Sequence, residues 1–112
     1  MPKGQYLGEF ELYVMAAAQR LKDDAYGMTI VREIERRSGR RVAMGAVYAT
    51  LSRLEDKGFV TTLISDPLPV RGGRARRQVR VTAAGKRALA DATAMLTKML
   101  LAPATRNPGD AS

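Results

Sequence analysis

The stretch MGAVYATLSRLEDKGFV, residues 44–60, decides the fold. Taken as a helix turning about 100° per residue, it places Met44, Val47, Leu51 and Leu54 on one side. Gly45, Ala46, Ala49, Ser52 and Arg53 fall on the other side, with Tyr48 at the boundary. A glycine and two alanines on an outer face have two explanations: a second layer of protein covers them, or another molecule must approach the backbone closely. A covered face does not accommodate Arg53, Asp56 and Lys57, which the same periodicity places on the outer side. Close approach is the better reading. Small residues let a helix sit near the floor of a nucleic-acid groove, while Tyr48 and Arg53 reach out to phosphates or base edges.

Working outward, residues 8–22 predict a first helix with Phe10, Val14, Ala17, Ala18 and Leu21 as its core stripe. Glu9 and Glu11 suit the positive end of its dipole. Leu12, Met15 and Ala16 lie on another side, so this helix is apolar over most of its girth and is expected to touch a second surface. A second helix over residues 28–38 begins after Gly27 as N-cap and stops at Gly39, a residue suited to the left-handed position after a helix. The helix over residues 44–57 follows and ends at Gly58. Residues 59–64 and 78–82 read as paired strands, Val79 and Val81 alternating with Gln78, Arg80 and Thr82. The intervening SDPLPVRGGRARR is a long basic hairpin tip. Thr82 caps a last helix over residues 83–101, where Leu89, Ala92, Leu96 and Met99 recur at spacings of three and four, the seam of a helix that pairs with another.

Composition limits the function. The chain has 112 residues, enough for one domain, and 46% apolar content is far from that of a disordered chain. With no His and no Cys it lacks disulfides, thiolate metal sites and the commonest general base. No cofactor or metal is expected, and an enzyme is disfavoured. No run is long and apolar enough for a membrane and no signal-like start is evident, so the expected compartment is the cytoplasm. Nineteen Lys and Arg against eleven Asp and Glu give a net charge of +8, which attracts polyanions. The arginines cluster: Arg32, Arg36, Arg37, Arg40 and Arg41 in one stretch, Arg71, Arg74, Arg76, Arg77 and Arg80 in another.

Three helices, a hairpin with a basic tip and one further helix is the order of a winged helix-turn-helix. The expected class is therefore mainly α with a small β-hairpin: a winged helix-turn-helix DNA-binding domain over residues 1–82, a C-terminal dimerisation helix over 83–102 and a disordered tail over 103–112. The candidate DNA-binding residues are Gly45, Ala46, Tyr48, Ala49 and Arg53 on the third helix, with Arg71, Arg74, Arg76 and Arg77 at the hairpin tip. The candidate dimerisation residues are Leu12 and Met15 of the first helix and Leu89, Ala92, Leu96 and Met99 of the last.

Four segments carry a resemblance: LGEFELYVM at 7–15, DDAYGMTIVREIERRSGR at 23–40, VAMGAVYATLSRLEDKGFV at 42–60 and RGGRARRQVRVTAAGKRAL at 71–89. Together they resemble the PadR family of bacterial transcriptional regulators, the pattern G-A-V-Y-x-x-L-x-R-L-E-x-K-G ending at Gly58 being the most specific part. The resemblance implies a homodimeric repressor with a winged helix and a dimerising C-terminal helix like that of the family's smaller subgroup; two protomers would then present two recognition helices to a pseudo-palindromic site in double-stranded DNA. It also implies a Tyr48 that contacts the DNA backbone and a wing against the duplex. Two departures stand out. Ala43 replaces the Ser or Thr that usually caps the recognition helix, and the chain lacks the tryptophans with which some relatives sandwich a ligand, carrying Met95 and Met99 instead. Whether a small-molecule inducer exists, and which, is not legible. The alternative function is a winged-helix module for RNA or a protein; an aromatic content of 5% argues against RNA stacking.

Overall fold

The computed structural model describes residues 7–64 and 77–101. Its elements are α1 (Glu9–Leu21), a 3-10 turn (Lys22–Asp24), α2 (Gly27–Ser38), α3 (Met44–Asp56), β1 (Val60–Ile64), β2 (Arg77–Val81) and α4 (Ala83–Leu96), which runs into a π-helical turn (Thr97–Leu101). The fold is mostly helical with one antiparallel hairpin, in register from Val60↔Val81 to Ile64↔Arg77. Residues 65–76 and 102–112 lie outside the described residues, and with them Arg71, Arg74, Arg76 and the expected C-terminal tail.

The helix ends follow from local chemistry. The Gly8 amide donates to Glu11 Oε1 at 2.8 Å, and the Tyr26 amide to Thr29 Oγ1 at 2.9 Å, so α1 and α2 each start on a reach-back bond from their third residue. Gly27 is thus the first residue of α2, one position inside the cap expected for it. Gly39 and Gly58 both take positive φ, 73° and 79°, and close α2 and α3. Thr82 caps α4 as expected: its hydroxyl accepts from the Gly85 amide at 3.0 Å and donates to the Gly58 carbonyl at 2.7 Å.

The core comprises Val14 and Met15 of α1, Ile30 and Ile34 of α2, Val47, Leu51 and Leu54 of α3, and Phe59, Val60 and Val79 of the hairpin. In the sequence Met15 faced a partner; in the structure it is fully buried, 0% exposed, inside its own protomer. The cause is the position of α1, which packs at once against α2, α3, α4 and β2. Its apolar girth is largely satisfied within the chain, and Met15 belongs to the protomer core rather than to a dimer face.

The wing is tied to the helix-turn-helix by backbone. The Val79 amide donates to the Ala25 carbonyl at 2.7 Å, and the Gln78 side-chain amide to the Asp23 carbonyl at 2.6 Å. The start of α4 is equally constrained, since a Cβ on Gly85 would stand 2.1 Å from the Phe59 carbonyl oxygen. Further along, α4 leaves the body. Leu89 leans on the core and Ala92 is half-buried, whereas every residue from Thr93 to Leu101 is exposed. The π turn widens the spiral after Leu96, so Met99 does not continue the expected three-and-four spacing in strict phase.

Candidate nucleic-acid interface

On α3, Val47, Thr50, Leu51 and Leu54 are buried and Met44 is half-buried, which fixes the opposite face toward solvent. That face carries Gly45, Ala46, Ala49, Ser52 and Arg53, all exposed as the periodicity predicts. A Cβ on Gly45 would meet nothing within 4 Å. Glycine there costs up to about 1 kcal/mol of helix propensity relative to alanine, and no packing among the described residues asks for it. Arg53 folds along its helix, its guanidinium donating to Thr50 Oγ1 at 3.1 Å. No side chain caps α3: Ala43 stands at its N-cap with extended backbone and without a cap bond.

Lys57 departs from the sequence reading. Instead of joining the outer face it turns inward, and its ammonium donates to both oxygens of Glu11 at 2.9 and 3.1 Å. Burial pushes the Glu11 carboxyl up, but the Gly8 amide and Lys57 outweigh it and hold the group below its ordinary value of 4.5. In α2, Arg37 and Arg36 bind Glu33 and hold its carboxyl below the ordinary range as well. Part of the first arginine cluster is therefore engaged locally, while Arg40 and Arg41 stay exposed in the connector that leads into α3.

Tyr48 is 52% exposed and overhangs a cleft of about 580 Å³ between the start of α2, α3 and the hairpin. Gly27, Met28, Ser52, Thr62 and Arg77 share this cleft. Tyr48 and Arg77 are contact candidates from the sequence and Ser52 lies on the outer face that the helical period predicts; Gly27, Met28 and Thr62 carry no such signal, because their nearness depends on how α2 and the wing meet α3. Arg77 is exposed at the start of β2. The candidate dimerisation residues divide: Leu12, Leu89 and Ala92 are half-buried, while Leu96 and Met99 are 44% and 74% exposed on the projecting arm. Between α1 and α2 lies an open groove of about 260 Å³, lined by Tyr13, Ala16, Ala17 and Arg20 of α1 and by Glu33, Ile34, Arg37 and Ser38 of α2. Among the described residues no cluster of three His, Cys, Asp or Glu could hold a metal ion, and no helix is long and apolar enough to cross a membrane.

The chain is 41% identical over 69 residues to the transcriptional regulator Rv3488 of Mycobacterium tuberculosis, a match that covers 62% of this chain and 60% of that protein. It therefore spans about 60% of the curated relative it matches. Among solved structures it is similar to hsRosR-S4 in its complex structure, with 25% identity and a TM-score of 0.66 over 90% of this chain and 80% of that one. It shares its fold with a PadR-like transcription factor of Bacteroides fragilis, at 20% identity and a TM-score of 0.63 over 80% and 82% of the two chains. The family model for PadR-like transcriptional regulators matches residues 14–91, from the core of α1 through the wing into α4, and the chain belongs to the PadR-like family of transcriptional regulators.

Proposed function

We propose that this chain is a sequence-specific DNA-binding repressor that acts as a homodimer on a pseudo-palindromic operator. One observation carries the reading: α3 exposes Gly45, Ala46 and Ala49 on a face where no described residue fills the space above Gly45. Such a face lets the helix backbone approach the floor of a major groove. Tyr48, Arg53 and Arg77 border it and reach phosphates, and Arg71, Arg74 and Arg76 of the wing add positive charge for the flanking backbone.

Dimerisation supplies the second half-site. The arm formed by α4 leaves Met95, Leu96, Met99, Leu100 and Leu101 exposed, a run of apolar surface of the kind that marks an interaction site. In the dimer this arm seats against the partner's α4 and the α1–α2 groove, with Leu12, Leu89 and Ala92 at the edges. Two α3 helices then face half-sites about 34–36 Å apart. Selection of bound fragments from a random duplex library, followed by footprinting, tests the whole reading. The expected result is an enriched inverted repeat with protected half-sites about one helical turn apart. A library that emerges without enrichment would exclude sequence-specific recognition.

A further inference from the structure

Gly27 is buried at the first position of α2, yet its backbone does not demand glycine. Only Gly39 and Gly58 among the described glycines have positive φ. Alanine is the better helix former, so a glycine here needs another cause. That cause is Tyr48: a Cβ on Gly27 would stand 2.7 Å from the Tyr48 hydroxyl oxygen, 2.8 Å from Cζ and 2.9 Å from Cε1. These atoms are the free end of a half-exposed side chain that makes no hydrogen bond among the described residues. An alanine at position 27 would displace the phenol without breaking the core. The bare Cα surface of Gly27 is a seat for the ring, and both residues line the cleft between α2, α3 and the wing.

We propose that Gly27 is a positioning residue for Tyr48, holding the phenol ready to donate to a DNA phosphate. The inference rests on the reading of α3 as the DNA-facing helix. Hydrogen bonds weaken steeply outside a narrow range of distance and angle, so a ring pushed off its seat forfeits the contact. A seated ring also enters the complex with little rotamer freedom left to lose.

A phosphate contact is independent of sequence, so a fluorescein-labelled mixed-sequence duplex is a sufficient probe. Anisotropy titrations compare the wild type, Gly27→Ala, Tyr48→Ala and the double variant, with a thermal melt of each. Gly27→Ala is expected to lose about fivefold in affinity, as Tyr48→Ala does, while melting at or above the wild-type temperature. The double variant should bind no more weakly than Tyr48→Ala alone. In the free wild type, NMR should show nuclear Overhauser contacts between the Gly27 α-protons and the Tyr48 ring. The proposal is overturned if Gly27→Ala binds like the wild type, if it costs the same again in the Tyr48→Ala background, if it unfolds the chain, or if the ring contacts are missing. A weakened Tyr48→Ala beside an unaffected Gly27→Ala rejects the seat alone. A Tyr48→Ala that binds like the wild type rejects the seat together with the reading of α3 on which it rests.

Discussion

At the scale of single residues, the described glycines of the helical body divide by what a methyl group would meet. On Gly85 it would strike the Phe59 carbonyl and on Gly27 the Tyr48 ring, while on Gly45 it would meet open space. The first two are explained by neighbours in the chain, and Gly45 is not. Ala49 shares that outer face, which makes it the cleanest probe of whether the face is bare for DNA. Glu is a good helix former, so Ala49→Glu should change the melting temperature little, by a few tenths of a kcal/mol in propensity. On a duplex the new carboxylate would stand among phosphates, and affinity should fall at least tenfold, about 1.4 kcal/mol. An Ala49→Glu protein that melts far below the wild type would mean that the face is covered by protein after all.

At the scale of elements, the Glu11–Lys57 pair fastens the start of α1 to the end of α3, 46 residues away in sequence. Glu11 therefore does two things: it caps its own helix through the Gly8 amide, and it braces α3 through Lys57. Its carboxyl is held below 4.5 in the folded chain, so its contribution to stability is present above that pH and is lost as pH falls through the lowered value. Glu11→Gln keeps an acceptor for Gly8 but loses the charge facing Lys57. It should cost about 1–2 kcal/mol in urea unfolding near neutral pH, less than a fully buried pair because both side chains keep some solvent. The difference between variant and wild type should shrink well below pH 4.5. A gap that is equal at both pH values would show that the ion pair contributes nothing.

At the scale of the whole molecule, the arm from Thr93 to Leu101 stands exposed beside the described body. Leu96 is 44% exposed and is not packed on the core of the described residues, so Leu96→Asp should leave the melting temperature of the winged body nearly unchanged. If the arm is the dimer seam, the same substitution places a carboxylate in an apolar interface, where an unpaired charge is strongly disfavoured. Analytical ultracentrifugation should then find a monomer, and duplex affinity should drop with it because one half-site contact is lost. A Leu96→Asp chain that sediments as a dimer would move the interface elsewhere. The net charge of +8 adds a field that favours any duplex, so both binding measurements belong at one fixed ionic strength.

Features that repeat along the chain, or that form within a few residues, were legible before any tertiary contact was known. The 3.6-residue period of Val47, Leu51 and Leu54 set the inner face of α3 and hence its outer one. Gly39, Gly58 and Thr82 marked ends that the structure keeps, because a left-handed turn and a hydroxyl cap are local events. Together with the PadR-like segments, these signals were sufficient for the winged fold. The tertiary structure decided whatever depends on two distant elements meeting. Met15 went inward because four elements surround α1, and a helical wheel shows apolar sides without showing what covers them. Lys57 left the outer face for Glu11, and Gly27 exchanged an expected capping role for contact with Tyr48. Period and local hydrogen bonding are properties of the chain itself. A long-range pairing exists only once packing has placed the two partners side by side.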